Sequence, residues 1–174
     1  MILDDFDKLL PLYRYTENNN VSQPVTIPLD APFTFKSGCT VKASSTVATY
    51  TQKQLNVNLR HNELQQALYQ HLVSQYGKEN VGTEITSGVG TSVDVIVRRD
   101  NGYWFYEIKT SLSPRACLRE AIGQLLEYAF WPGAQPAIRL VVAGESPIDK
   151  DCMEYLRRLN LRFPLPIDYE QIAL

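Results

Sequence analysis

Three ionisable side chains close together in the sequence could form a site for a divalent metal ion. Asp94, Glu107 and Lys109 lie within nineteen residues, SVDVIVRRDNGYWFYEIKT, that are otherwise rich in β-branched and aromatic types. Carboxylate oxygens are the ligands that magnesium and manganese prefer. The stretch therefore carries the side chains for a metal site, provided that the fold brings them together.

The same stretch predicts a β-hairpin that would bring the three side chains together. Two strand-like runs flank the sequence Asp-Asn-Gly at positions 100–102, which is the strongest short-range signal for a tight turn. A two-residue turn at Asn101-Gly102 sets the register, and Asp94 is then expected directly opposite Lys109. Since side chains alternate between the faces of a strand, Glu107 is expected on the same face, diagonal to Asp94.

Such a cluster has two explanations, one functional and one structural. The strands are apolar or aromatic on both faces, which is the composition of strands buried within an α/β layer. Two carboxylates in such a place repel each other unless a cation or a proton lies between them. The structural explanation is a buried ion pair between Asp94 and Lys109, with Glu107 solvated at the strand end. Spacing alone does not decide between the two explanations.

Length and composition indicate a single soluble domain. The chain has 174 residues, 44% of them hydrophobic and 21% charged, which suits one domain with a small extension. No apolar run is long enough to cross a membrane, and the acidic start MILDDFDKLL lacks the features of a signal peptide. We therefore expect a cytoplasmic protein without membrane contact. The three cysteines are odd in number and widely spaced, which predicts reduced thiols.

Charge and histidine placement bear on possible partners. A net charge of −2 argues against a general polyanion-binding surface, so nucleic acid would have to bind through a local basic patch. The basic residues near the hairpin are Arg98, Arg99, Lys109, Arg115 and Arg119. His61 and His71 are ten residues apart, which is not a metal-ligand spacing on a helix, and both are expected to be structural.

The remaining sequence predicts the elements that would position these side chains. Residues 1–57 are expected to form a β-rich N-terminal extension, with a short helix at 4–13 and a hairpin formed by 33–36 and 40–50. Residues 58–174 are expected to form the main domain. Its predicted elements are a helix at 61–76, a strand at 80–86, the central hairpin, a helix from Ser113-Pro114 to Trp131, a strand at 137–143, a helix at 149–159 and an extended tail at 163–169.

With this order of elements, the motifs resemble those of the PD-(D/E)XK nuclease superfamily, whose core is αβββαβ. The matching residues are Ser92-Val93-Asp94, twelve intervening residues and Glu107-Ile108-Lys109, with Glu63 on the preceding helix and Gln124-Leu125-Leu126-Glu127-Tyr128 on the following one. The last motif is similar to the Q-x-x-x-Y motif of the RecB-like branch. Val93 replaces the proline of the superfamily motif but leaves the carboxylate in place. The match covers about residues 60–143, and residues 1–57 lie outside it.

The resemblance implies a fold and a metal site. The fold would be α/β, a restriction-endonuclease-like αβββαβ core with a central mixed sheet flanked by helices, plus the β-rich N-terminal extension. Asp94 and Glu107 would be ligands of a divalent metal, Mg²⁺ or Mn²⁺ in its place. The backbone carbonyl of Ile108 would be a third ligand, and Glu63 would bind the metal directly or through water.

The resemblance also implies roles for side chains around the metal. Lys109 would orient the attacking water or stabilise the phosphorane. Gln124 and Tyr128 would position the nucleic-acid backbone or order the site, and Arg115 and Arg119 are candidates for phosphate contacts. For the two arginines, the structural alternative is an ordinary solvated helix face.

The resulting hypothesis is a magnesium-dependent nuclease acting on DNA, in restriction, phage defence or repair. The alternatives are a non-catalytic nucleic-acid-binding or assembly module on the same fold, and a nuclease acting on RNA. The intact set of Glu63, Asp94, Glu107 and Lys109 favours catalysis, because a module without chemistry has no reason to keep an uncompensated carboxylate pair. One site per chain would require two copies to cut both strands in one encounter, which a homodimer would supply.

Overall fold

The fold is built on a five-stranded mixed sheet. The computed structural model describes residues 32–40, 52–88 and 90–174. Its elements are α1 (Gln52–Tyr76), β1 (Val81–Thr86), β2 (Ser92–Arg99), β3 (Gly102–Lys109), α2 (Pro114–Phe130), β4 (Arg139–Gly144), α3 (Lys150–Asn160) and β5 (Ile167–Gln171). The strands lie in sequence order; β1 and β3 each pair with β2 in antiparallel fashion, and β3, β4 and β5 are parallel. This arrangement confirms the predicted α/β class, a restriction-endonuclease-like core with helices flanking a mixed sheet.

Two apolar clusters hold the helices against the sheet. Helix α1 contributes Leu64, Leu68 and Leu72, which recur at intervals of four residues and are at most 1% exposed. They pack with Val81, Val95, Val97, Tyr106 and Ile108 of the first three strands. The second cluster joins α2 and α3 to the sheet through Cys117, Leu118, Ala121, Leu125, Cys152, Leu156, Ile96, Phe105, Leu140 and Val142. Each buried leucine contributes roughly 1.5–3 kcal/mol, so α1 is anchored firmly.

Several element boundaries differ from the sequence-based expectation. Helix α1 begins at Gln52, so the predicted domain boundary at residue 57 falls inside the helix. The tail contains a fifth strand, because Ile167–Gln171 pairs in parallel with β4. The predicted helix at 4–13 and the strand residues 41–50 lie outside the described residues. Residues 33–36 form no strand, and their segment joins the sheet through a single bridge between Gly38 and Gly82.

The predicted register of the hairpin is wrong by two residues. Arg98 pairs with Tyr103, so residues 100–101 form the turn. Gly102 is instead the first residue of β3, with a φ of 148°. A Cβ at this position would lie 2.8 Å from Ile138 Cγ2, so both the backbone conformation after the turn and the close packing favour glycine here.

The register shift changes which residue lies opposite Asp94. One step beyond the last observed pair, Val95 with Tyr106, Asp94 lies opposite Glu107 instead of Lys109. A shift of one residue would have exchanged the faces of the strand, whereas a shift of two keeps the alternation. The two carboxylates are therefore closer neighbours than predicted.

The helices after the hairpin begin with side-chain caps. Ser113 Oγ accepts a hydrogen bond from the Ala116 amide at 3.4 Å, and Pro114 is the first helical residue, as predicted. Asp149 Oδ1 accepts from the Cys152 amide at 2.8 Å at the start of α3. A capping side chain satisfies an amide that the first helical turn leaves without a partner, so both starts are well defined.

Two expectations from composition can be compared with the described residues. Cys39 is exposed, Cys117 and Cys152 are buried, and all three are free thiols, as expected. No helix in the described part of the chain is both long enough and apolar enough to span a membrane.

Gly82→Ala should destabilise the protein, because a Cβ there would collide with the carbonyl oxygen of Lys36. The segment 32–40 is held against β1 by Gly38, whose amide donates to Val81 O at 3.0 Å and whose oxygen accepts from Thr83 N at 3.1 Å. We expect a loss of about 1–3 kcal/mol in denaturant unfolding. Gly123→Ala is the control, because its added Cβ meets nothing within 4 Å and should stabilise α2 by up to about 1 kcal/mol. Unchanged stability of Gly82→Ala would contradict this packing.

Candidate active site

The site lies where the ladder between β2 and β3 ends. Val95 and Tyr106 are the last paired residues on this side, and Asp94 and Glu107 follow them, both buried. The Ile108 amide donates to Asp94 Oδ2 at 2.8 Å. The Asp94 side chain thus accepts a hydrogen bond from a backbone amide that would otherwise bond a neighbouring strand. This contact holds Asp94 against β3.

Only one of the two side-chain oxygens of Glu107 has a hydrogen-bond partner among the described residues. Its Oε1 accepts from Lys109 Nζ at 2.9 Å, and the same ammonium donates to Gln124 Oε1 on α2 at 2.6 Å. Its Oε2 is buried and has no hydrogen-bond partner among the described residues. An unpartnered buried carboxylate oxygen is costly, which marks this atom as the most unusual in the cluster. The structural explanation, with Glu107 solvated at the strand end, is not what the fold shows.

Helix α1 supplies two polar contacts to Asp94 from the other side. His61 Nε2 lies 3.2 Å from Asp94 Oδ2. The Gln65 side-chain amide, which is 3% exposed, donates to the Asp94 carbonyl oxygen at 3.1 Å and to Glu84 Oε1 at 2.7 Å. Both side chains lie on the stripe of α1 that also carries Leu64 and Leu68. The packing of α1 therefore positions them.

The two carboxyl groups respond to burial in opposite directions. Burial alone would raise the pKa of Asp94, but the hydrogen bond and charge of His61, the Ile108 amide and the charge of Lys109 hold that pKa below its usual range. Burial, followed by the charge of Asp94, raises the pKa of Glu107 to about 7, and Lys109 opposes this only in part. Asp94 is therefore ionised near neutral pH, whereas Glu107 exchanges its proton in that range, where a bound cation would favour the ionised form.

Helix α2 brings the two residues of the Q-x-x-x-Y motif to the same place. Gln124 accepts from Lys109, as above, and Tyr128 is 5% exposed. Burial, followed by the charges of Glu107 and Asp94, raises the pKa of Tyr128. The phenol therefore stays protonated as a hydrogen-bond donor beside the two carboxyl groups.

Three other residues assigned by the resemblance lie apart from this cluster. Glu63 is turned about 200° around α1 from His61, and its exposed carboxylate pairs with Arg60 at 2.8 Å. Arg115 and Arg119 are exposed on α2, and Arg119 lies 3.9 Å from Glu120. The structure thus brings Asp94, Glu107, Lys109, Gln124 and Tyr128 together, and it leaves Glu63, Arg115 and Arg119 on the surface.

Sequence reasoning missed three polar contributors, His61, Gln65 and Glu84. His61 and Gln65 precede Leu64 and Leu68 by three residues each, so their places on the apolar stripe could have been recognised from helical spacing. Polar side chains on a buried stripe need partners, and the predicted hairpin offered charged ones. Glu84 gave no such signal, because its contact depends on the register between β1 and β2.

The donor set fits a hard cation that keeps part of its water shell. Within the described part of the chain, no three His, Cys, Asp or Glu side chains converge in a way that would hold a metal ion alone. Asp94 and Glu107 supply two carboxyl groups, and the unpartnered Glu107 Oε2 is an oxygen that a cation would satisfy. Magnesium is commonly bound through one or two carboxylates together with several waters, which agrees with this set.

Comparisons with known proteins yield no family assignment. No family model and no curated protein matches the chain. A solved protein of unknown function, AF1548, is 15% identical, with a TM-score of 0.39 over 61% of this chain and 55% of its own. Can2 from Sulfobacillus thermosulfidooxidans, solved in complex with cyclic tetra-adenylate, is 14% identical, with a TM-score of 0.38 over 69% of this chain and 33% of its own. The chain thus spans about half of one and a third of the other, and no activity or ligand is transferred from either.

Metal-free protein should lose stability as pH rises from 5 to 8. The Glu107 pKa is about 7 when folded and near its usual value when unfolded, so in this window the folded state binds more protons and stability falls with pH. Asp94 titrates below the window, because its pKa is lowered. In wild type, the free energy of unfolding should fall by an amount on the order of 2 kcal/mol across this window. Glu107→Gln cannot ionise, so the variant should lack this decrease. The measurement is urea unfolding at several pH values in the presence of a chelator. If the free energy of unfolding changes with pH equally in wild type and variant, Glu107 is not the group responsible.

Proposed function

We propose that this protein is a divalent-metal-dependent nuclease of the RecB-like PD-(D/E)XK branch, hydrolysing phosphodiester bonds in DNA. The observation that carries the proposal is the buried Oε2 of Glu107, which no side chain in the described part of the chain bonds, beside the ionised Asp94 and with Lys109 bonded to the other Glu107 oxygen. A structural ion pair would satisfy both oxygens. A site that binds a cation leaves an oxygen available for it.

The residues that would hold the cation are Asp94, Glu107 and the backbone carbonyl of Ile108. When bound, Mg²⁺ would polarise the scissile phosphate, lower the pKa of a bound water and offset charge in the transition state. Asp94 is held for this task by the Ile108 amide and by His61. Glu107 would give up its proton when the cation binds, so metal affinity should rise with pH.

Lys109 is placed to act on the substrate. An ammonium group has three N–H donors, and in the described residues two of them go to Glu107 Oε1 and Gln124 Oε1. The third can hold the attacking water or a phosphate oxygen. Gln124 therefore orients Lys109, and the protonated Tyr128 hydroxyl can donate to the same phosphate.

We assign to His61, rather than Glu63, the contribution of α1 to the site. His61 contacts Asp94 directly, while the Glu63 carboxylate is neutralised by Arg60. Glu63 could reach the cluster only through water or by leaving Arg60. Arg115 and Arg119, exposed on the helix that carries Gln124, remain our candidates for phosphate contacts, and a homodimer would place two such sites on duplex DNA.

Asp94→Asn, Glu107→Gln and Lys109→Met should each reduce cleavage by at least about a hundredfold, because each removes charge from the transition-state environment. The measurement is cleavage of linear, circular and single-stranded DNA with and without Mg²⁺, with circular dichroism to verify folding. Glu120→Gln, which removes an exposed carboxylate on α2, is the control and should match wild type. Cleavage of RNA alone would shift the substrate class, and intact DNA binding without cleavage would support the non-catalytic module.

Manganese at millimolar concentration should raise the melting temperature by several degrees, because it binds the folded site and not the unfolded chain. The increase should be larger at pH 8 than at pH 6, where Glu107 holds its proton. Asp94→Asn should abolish it. A melting temperature that does not respond to metal at either pH would count against the site.

Gln124→Ala and Tyr128→Phe should slow cleavage more than about tenfold while leaving the melting temperature nearly unchanged. Gln124→Ala frees the Lys109 ammonium from its helix partner, and Tyr128→Phe removes a donor without changing packing. The matched controls are Gln66→Ala on α1 and Tyr155→Phe on α3, both exposed. Wild-type rates in both α2 variants would reduce the proposed site to Asp94, Glu107 and Lys109.

A further inference from the structure

Glu84, in the middle of β1, has a backbone conformation that is unusual for a residue with a Cβ. Its φ is 54°, and no other non-glycine residue in the described part of the chain has a positive φ. Such a conformation is unfavourable for L-residues other than glycine, asparagine and aspartate. It persists only where surrounding contacts impose it, and such positions cluster at functional sites.

The register places this residue beside Asp94. Thr83 pairs with Val95 and Ile85 pairs with Val93, so Glu84 and Asp94 face each other, yet they form no ladder pair. The alternation of side chains breaks at the same row. Val95 packs in the α1 cluster, whereas Val93, two residues away, packs in the α2 cluster, and β1 changes faces in the same way between Val81 and Ile85.

Side-chain contacts replace the missing ladder pair. The Gln65 amide donates one hydrogen bond to Glu84 Oε1 at 2.7 Å and another to the Asp94 carbonyl oxygen at 3.1 Å. Ser92 Oγ donates to Glu84 Oε2 at 3.4 Å. The Glu84 carboxylate therefore fixes the orientation of a buried amide, and that amide holds the main chain of Asp94.

We propose that Glu84 is a positioning residue for Asp94, acting through Gln65. Where β1 and β2 lose their ladder bond, Asp94 is freed from regular strand geometry, and its carboxylate can turn to the Ile108 amide and His61. Glu84 and Gln65 restore a single position for its backbone. The inference rests on the proposed function for its consequence in metal binding, but the positioning itself can be measured in metal-free protein.

The test compares Glu84→Gly, Glu84→Ala and Glu84→Gln. Glycine tolerates the positive φ and alanine does not, so the glycine variant should melt above the alanine variant although both lose the carboxylate. Both should weaken Mn²⁺ binding in calorimetry about tenfold and lower kcat similarly with little change in KM, as loss of an outer hydrogen-bond partner does. Glu84→Gln keeps an acceptor for Gln65 and should stay within about twofold of wild type. The double variant Glu84→Gly, Gln65→Leu should lose no more Mn²⁺ affinity than either single variant, because both changes remove the same contact.

A metal-free readout separates this inference from the nuclease proposal. Hydrogen exchange of the Ile108 amide, which bonds to the Asp94 carboxylate, should be about tenfold faster in Glu84→Gly at unchanged global stability. The inference would be overturned if Glu84→Gly kept both the wild-type exchange rate and the wild-type Mn²⁺ affinity. It would also be overturned if the loss of Mn²⁺ affinity across the variants simply paralleled their loss of melting temperature. A wild-type protein that neither binds Mn²⁺ nor cleaves, combined with faster Ile108 exchange in Glu84→Gly, would overturn the nuclease proposal and leave the positioning role supported.

Discussion

Asp94 and Glu107 lie on neighbouring strands inside the sheet, where an ionised carboxyl group loses most of its hydration. The fold compensates them unequally. Asp94 receives the Ile108 amide and His61, and its main chain is held by Gln65. Glu107 receives Lys109 on one oxygen, and the other oxygen has no hydrogen-bond partner among the described residues. Asp94 is therefore kept as an anion, whereas Glu107 takes up a proton near neutral pH, although the two side chains differ by only one methylene.

Helix α1 links the hydrogen bonds of Asp94 to the packing of the domain core. Leu64, Leu68 and Leu72 fix its position on the sheet, and the same stripe carries His61 and Gln65 to Asp94. Because interiors are closely packed, a helix that contributes both the core and the polar contacts cannot shift without disturbing both. The site geometry is therefore as rigid as the α1 cluster. A loop carrying the same two side chains would hold them much less precisely.

The sequence predicted most of the fold, and its failures have physical causes. Strand composition, the cap at Ser113 and helical spacing depend on neighbouring residues, and these predictions agree with the structure. The predicted register placed Gly102 inside the turn, whereas it begins β3 with a positive φ and packs against Ile138, far away in the sequence. The fifth strand depends on pairing with β4, because the short segment Ile167–Gln171 has little apolar pattern of its own.

The same distinction applies to the candidate site. Asp94, Glu107, Lys109 and Gln124 could be found because their motif spacing matches their spatial proximity. The placement of Glu63 could not be predicted from spacing, since only the pairing of Arg60 with Glu63 and Glu145 shows where its side chain is held. Glu84 depends on register and on a backbone distortion, for which sequence patterns carry no signal.

The unsatisfied oxygen of Glu107 also bears on whether the protein is a nuclease or a binding module. Replacing a buried ionic cluster with apolar residues is often neutral or stabilising, so a module that only binds through its surface would lose nothing by such a change. Here the opposite is found: the carboxyl groups are kept, a backbone distortion at Glu84 accompanies them, and Lys109 is shared between Glu107 and α2. The buried carboxyl groups and the positive φ of Glu84 are each unfavourable for stability by themselves. They support our proposal of a cation site, because a cation would satisfy Glu107 Oε2 and stabilise both carboxyl groups as anions.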